Sequence, residues 1–259
     1  SDASHLGTAV MTTIPDVKSK IARSSASVTY KQILGDLQTA LDMFADGWTK
    51  GCFYASPAAC KALMARVCLY MGNYTDAKKY ASEVISDYGL SLTPRADYVA
   101  MFCGRKEGQE AIFRLNGLSG GAKLRSMFDY TSPQMYPSGK LLDIFSSDAD
   151  AWTGSDVRSE LLSYKAADGK EYSGVCMKFI DTEDIDETQK RYDPFVFRLS
   201  EMYLIRAEAA CHDGDTDTAV SDIAALEARA RGVQTSDINV TFSSIDDLAG
   251  IVQRERIKE

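Results

Sequence analysis

The sequence predicts a mainly α-helical fold of tetratricopeptide-like helical hairpins, interrupted by a long irregular, loop-rich insertion that contains short strands. Three observations predict it. Apolar residues recur at helical spacing near both ends of the chain, glycines close successive helices, and the middle loses that period to clustered glycine and proline.

The first stripe is Tyr30, Ile33, Leu34, Leu37, Leu41 and Phe44, the i, i+3, i+4, i+7 pattern of an amphipathic helix. A loop with Gly47, Trp48, Gly51, Phe53 and Tyr54 follows. Ser56-Pro57 then sets a capping hydroxyl ahead of a proline at the first helical position, which predicts a helix over 57–71 ending at Gly72. A third helix starts near Tyr74, buries Ala77, Ala81, Val84, Ile85 and Tyr88, and stops at Gly89. In the middle, Gly117, Gly120 and Gly121 cluster and Pro94, Pro133, Pro137 and Pro194 punctuate. There Ala111-Ile112-Phe113 reads as a strand, and a short helix over 140–145 has Ser138 as its cap. Helix returns over 197–211 and 216–231, the second closing at Gly232, and a last helix opens at Asp246 behind Ser243 or Ser244.

Two of these helix pairs repeat. Aligning Gly72 with Gly214 brings Ala65 onto Ala207, Ala77 onto Ala219, Ala81 onto Ile223 and Val84 onto Leu226. Small residues at the crossing and glycine at the turn let two antiparallel helices pack closely. The copies are not in tandem, so the insertion divides the helical scaffold. The expected organisation is one domain over 1–259, with hairpin regions at 30–89 and 197–259 and the insertion at 90–196.

Composition excludes several classes. With 29 Lys and Arg against 37 Asp and Glu, the net charge of −8 disfavours a phosphate-neutralising surface, so no nucleic-acid partner is expected. Hydrophobic residues at 45% and charged residues at 25% give a globular rather than a disordered chain. No apolar run approaches the roughly 20 residues of a membrane-spanning helix. Six cysteines, none spaced Cys-x-x-Cys, read as buried reduced thiols, and two histidines leave no metal cluster or catalytic triad. Asp213-Gly214-Asp215-Thr216-Asp217 opens like a calcium loop, but Thr218 and Ala224 stand where the sixth-position glycine and twelfth-position acid belong. It reads instead as a turn and helix cap. The acids Asp181, Glu183, Asp184, Asp186 and Glu187 read as a solvated loop, and the Gly117 to Gly121 stretch, lacking the Lys-Ser of a phosphate loop, as a flexible connection. No metal, cofactor or catalytic residue is expected. The chain opens on Ser1-Asp2 and stops inside a helix at Lys258-Glu259, which is expected of a segment cut from a longer protein.

Ordered blocks carry a family resemblance. The run Phe197-Arg198-Leu199-Ser200-Glu201-Met202-Tyr203-Leu204-Ile205-Arg206-Ala207-Glu208-Ala209 resembles the signature helix of the SusD/RagB proteins. The segments 30–40 and 58–77, Glu110-Ala111-Ile112-Phe113, Asp156-Val157-Arg158 and Gln253-Arg254-Glu255-Arg256 are similar to further family blocks in the same order. The resemblance implies a lipid-anchored, surface-exposed protein of the Bacteroidetes outer membrane. Such a protein captures oligosaccharide, or another nutrient, and delivers it to a SusC-like TonB-dependent transporter without catalysing a reaction. Membrane contact is then expected only through a lipid anchor that this chain does not include.

Sugar rings present an apolar C–H face that stacks on aromatic side chains. The candidate platforms are therefore Trp48 and Trp152 in polar loops, with Tyr136, next to Pro133 and Pro137, and Tyr130 as weaker ones. The charged residues Arg198, Glu201, Arg206, Glu208, Asp156 and Arg158 are assigned to the scaffold. In that assignment Arg198 pairs with Glu201, Glu201 and Arg206 reach neighbouring helices, and Asp156 and Arg158 clamp a turn. The alternative function is a helical-repeat scaffold for protein partners with no sugar site; a glycoside hydrolase needs a carboxylate pair that nothing singles out.

Overall fold

The computed structural model describes residues 4–44, 51–103, 108–117, 121–148, 154–182 and 192–259. Helices α1 (Ala26–Met43), α2 (Pro57–Met71), α3 (Tyr74–Asp87) and α4 (Arg95–Cys103) lead into strand β1 (Ala111–Arg114). The insertion carries α5 (Gly121–Met127), α6 (Gly139–Asp148), a 3-10 turn at Val157–Leu162 and strands β2 (Ser163–Lys165) and β3 (Glu171–Ser173). Strand β4 (Phe195–Arg198) then feeds α7 (Leu199–Asp213), α8 (Thr216–Arg231) and α9 (Ile245–Lys258).

Local chemistry explains most boundaries. Ser25, Ser56 and Ser244 each accept a backbone N–H of the first turn of α1, α2 and α9. The α1 cap lies upstream of the apolar stripe, so the helix starts four residues before Tyr30. At the other pair of turns, Gly72 (φ 76, ψ 15) and Gly214 (φ 75, ψ 12) are both left-handed caps. The residues that follow, Asn73 (φ −86, ψ 77) and Asp215 (φ −84, ψ 77), cap α3 and α8 in the same conformation. The two hairpins thus share one turn geometry. Lys78 Nζ lies 2.8 Å from Asp215, and that ammonium together with Thr218 holds the carboxyl down to about 2.

All eight aligned positions of the repeats are fully buried. The division seen in sequence is absent in space, because α3 packs directly on α7 and the helices stack in the order α1, α2, α3, α7, α8, α9. What makes this possible is the neck of the insertion. Strands β1 and β4 pair antiparallel, with Ala111 opposite Arg198, so the chain leaves and returns at one place. Here Phe197 and Arg198 are strand, not the start of the helix predicted from 197; they pair with β1, and α7 begins at Leu199. Gly117 is fixed rather than flexible, since a Cβ on it would sit 1.8 Å from the Tyr192 carbonyl oxygen and its N–H donates to Asp193.

The insertion is tied down by a buried ionic centre. Arg158 donates to Asp156, to Glu227 on α8, and to Glu255 and Glu259 at the end of α9, at 2.6 to 3.2 Å. Lys258 adds bonds to Glu227 at 2.8 Å and Glu255 at 2.6 Å, and Arg231 reaches Glu227 at 2.7 Å. Glu110 before β1 binds Arg198 at 2.9 Å, and Arg198 continues to Glu259. The Asp156–Arg158 pair clamps its own turn, with Asp156 accepting both the Arg158 backbone N–H and its guanidinium, and it is also a junction of three elements. Arg198 does not pair with Glu201, which binds Arg66 of α2 instead at 2.6 Å. Arg206 reaches Asp222 and Glu208 reaches Arg256, so all six charged residues do serve the scaffold.

Burial pushes Glu227 up, but Glu255, Arg158 and Lys258 outweigh it and hold this carboxyl below its ordinary range. Glu259 is likewise buried yet held well below that range by Arg229, Arg198, Arg158 and Lys178. Glu255 goes the other way: burial, with Glu227 beside it, overcomes Arg158 and raises it to about 7.

Four of the six thiols, Cys60, Cys68, Cys103 and Cys211, are buried as expected, whereas Cys52 and Cys176 are half-exposed. Asp181 is buried, not solvated; the acids Glu183, Asp184, Asp186 and Glu187 lie outside the described residues.

Three outcomes test this frame. Gly214→Ala, forced into a left-handed conformation, loses about 1–2 kcal/mol, whereas Gly35→Ala, mid-helix with open space around the new methyl, gains about 0.5–1 kcal/mol in urea unfolding. Arg158→Met strands buried carboxylates and costs about 3–5 kcal/mol by the same measurement. The pH dependence follows from the carboxyls. Glu227 and Glu259 lose their stabilisation as pH falls below the ordinary 4.5 toward their lower folded values. Glu255 binds its proton more tightly folded than unfolded, so stability also falls as pH rises from 4.5 to about 7. The melting temperature therefore peaks in mild acid, and Glu255→Gln flattens the upper limb while leaving the lower one.

Candidate functional site

The insertion displays an aromatic patch built on a β-hairpin. Strands β2 and β3 pair in register, with Ser163 opposite Ser173, Tyr164 opposite Tyr172 and Lys165 opposite Glu171. Alternation puts the two tyrosines on one face of the ribbon and the Lys165–Glu171 pair on the other. The connection is short: Asp168 accepts the Lys170 N–H, and Gly169 takes φ 86, which a side chain would oppose.

Tyr130, in the loop after α5, closes over that pair. Its ring centroid lies 4.5 Å from Tyr164 and 5.1 Å from Tyr172, the latter edge-on. Lys170 Nζ sits 4.7 Å from the Tyr172 centroid. All three tyrosines are half-buried. Behind them a core of Tyr98, Met101, Phe102, Leu161, Met177 and their neighbours supports the rings, so the patch has a rigid back.

Arg125 lies near enough to Tyr130 to act on its hydroxyl electrostatically. Its Nε and Nη1 are buried and have no hydrogen-bond partner among the described residues. Burial raises the Tyr130 hydroxyl above its ordinary value, with Tyr164, Asp129 and Tyr172 adding to the shift and Arg125 opposing it.

Of the sequence candidates, Tyr130 belongs to this patch. Tyr136 stands on the same loop, 66% exposed, on a backbone turn in which Gln134 and Met135 donate to the Met127 carbonyl. Trp48 and Trp152 lie outside the described residues. Sequence reasoning missed Tyr164, Tyr172 and Arg125. A signal for the first two was present, since Asp168-Gly169 marks a hairpin turn with Tyr-Lys before it and Glu-Tyr after it. For Arg125 no sequence signal exists, because its lack of partners is a property of the folded surroundings.

Among the described residues no group of three or more His, Cys, Asp or Glu could hold a metal ion. Nor is any described helix long and apolar enough to cross a membrane.

The fold is a stacked helical-hairpin scaffold with a looped-out insertion that carries an aromatic patch. The chain belongs to the SusD family, whose model matches residues 45–259. Solved structures agree. A SusD superfamily protein from Bacteroides thetaiotaomicron VPI-5482 is 25% identical with a TM-score of 0.79, covering 99% of this chain and 58% of its own. A SusD superfamily protein from Bacteroides vulgatus ATCC 8482 is 26% identical with a TM-score of 0.76, covering 99% and 57%. The fold also matches a SusD-like carbohydrate binding protein from the same organism, at 21% identity and a TM-score of 0.76, over 99% and 54%. The chain thus spans between half and three-fifths of the length of these proteins. No curated protein matches it.

Proposed function

We propose that this chain is the glycan-binding part of a cell-surface lipoprotein. It captures oligosaccharide at the outer membrane, to which a lipid anchor tethers it, and passes it to a SusC-like TonB-dependent transporter without cleaving it. The observation that carries this reading is the patch of Tyr130, Tyr164 and Tyr172 on the insertion of a SusD-family chain. Stacking on the rings takes up the C–H face of a sugar. Half-buried rings with a packed back lose little freedom on binding, which suits capture of a flexible chain. Tyr136, Trp48 and Trp152 are proposed as further platforms around the same ligand.

The expected result on a glycan panel is binding with no shortened products, read by calorimetry together with chromatography of the sugars after incubation. Tyr164→Ala weakens binding by about tenfold, the scale of one aromatic contact, while the circular dichroism of the helices stays unchanged. Release of shorter sugars would overturn the non-catalytic reading, and undiminished affinity in Tyr164→Ala would remove the patch from it.

A further inference from the structure

A second site lies on the helical scaffold itself. A groove of about 240 Å³ opens between α2, α3, α7 and α9. Its floor is apolar, made by Leu69 and Ile205, both buried. Two ion pairs form its polar wall: Arg66 with Glu201, through two bonds of 2.6 Å, and Arg256 with Glu208 at 2.6 Å. Each charge is matched, so the groove offers hydrogen-bond donors and acceptors in balance and little net field.

Tyr70 stands at this groove 67% exposed, although α2 is otherwise largely buried. Tyr74 lines it too, held by His212 stacked on it at 3.8 Å and 7°. Arg66 is fixed from behind by the Val196 carbonyl and by the Phe197 ring, 4.1 Å away. The groove therefore combines an apolar floor, two aromatic rings, the bidentate Arg66–Glu201 pair and the singly bonded Arg256–Glu208 pair, formed before any ligand arrives. Those groups match a ring with an apolar face and equatorial hydroxyls, and the balanced charge disfavours an acidic or basic ligand. The volume is below the roughly 300–1,000 Å³ of pockets for drug-sized ligands, which limits the occupant to about one ring.

We propose that this groove is a second carbohydrate subsite, taking one uncharged pyranose ring of a bound glycan on the hairpin scaffold. The proposal rests on the reading of the protein as a glycan binder, but it shares no residue with the tyrosine patch. Each can therefore fail without the other.

The test is calorimetric titration of the chain with neutral tetrasaccharides of glucose, mannose and xylose, comparing wild type with Tyr70→Ala, Tyr70→Phe and Tyr164→Ala. The exposed position of Tyr70 lets its variants fold, which thermal melting checks. Two sites are expected in wild type. Tyr70→Ala weakens one of them about tenfold or more, Tyr70→Phe retains it because the ring remains, and Tyr164→Ala weakens only the other. A single wild-type site that is lost in Tyr164→Ala and unchanged in Tyr70→Ala overturns the groove and leaves the glycan reading intact. A single site lost only in Tyr70→Ala supports the groove and overturns the patch. Absence of binding to every sugar overturns both, as does Tyr70-dependent retention of extended peptides on an array with no sugar bound.

Discussion

The buried charges around Arg158 are the constraint on which the rest of the structure depends. Its guanidinium is wholly enclosed and still meets four carboxylates drawn from the insertion, α8 and the end of α9. Taking such groups out of water is costly, and their mutual attraction recovers that cost only when all of them are in place. The centre therefore contributes less to the depth of the native state than to its uniqueness. An arrangement that moved the insertion relative to α8 and α9 would leave several charges buried without partners. The tyrosine patch gains a defined position from this, because its supporting core includes Val157 and Leu161 from the same 3-10 turn that carries Arg158.

Around that centre the helical stack divides its labour. The alanine-rich crossings between α2, α3, α7 and α8 bring backbones close and leave little room for side-chain freedom, so they supply shape. Their outward polar positions line the groove bounded by Arg66, Glu201, Glu208 and Arg256. On the proposed readings, scaffold and insertion are two binding faces of different construction: one from ion pairs on helices, the other from rings on a hairpin. Both are held by packing rather than by loops alone, which favours a ligand surface formed in advance of binding.

The helical half of this fold was legible in the sequence because its determinants are local. Ser56-Pro57, Gly72, Gly214 and Gly232 act within one turn, and the structure places caps at each. The Ala65, Ala77, Ala207 and Ala219 alignment likewise survived, since interhelical distance selects small residues wherever the repeat falls. Phe197 and Arg198 were misassigned because their strand state comes from β1, a partner far away in sequence that helix periodicity does not register. Helix α4 was hidden because Pro94, just ahead of it, reads as a break and its own apolar pattern is mixed. In the tyrosine patch, Tyr130 was visible as a loop aromatic, whereas Tyr164 and Tyr172 became meaningful only as a cross-strand pair. Arg158 looked like half of a local turn, since nothing in Asp-x-Arg reveals Glu227, Glu255 or Glu259.

The β1–β4 neck carries one more consequence. Because departure and return strands lie side by side, the stack from α3 to α7 is indifferent to how much chain lies between them. The entropic cost of closing such a loop grows slowly, about 0.6 kcal/mol for each doubling of its length. The insertion behaves in effect as an interchangeable cassette on a fixed handle. Its hairpins and rings can be lengthened, shortened or rewritten to suit another ligand, provided that Glu110, Asp156 and Arg158 still dock on the same ionic socket.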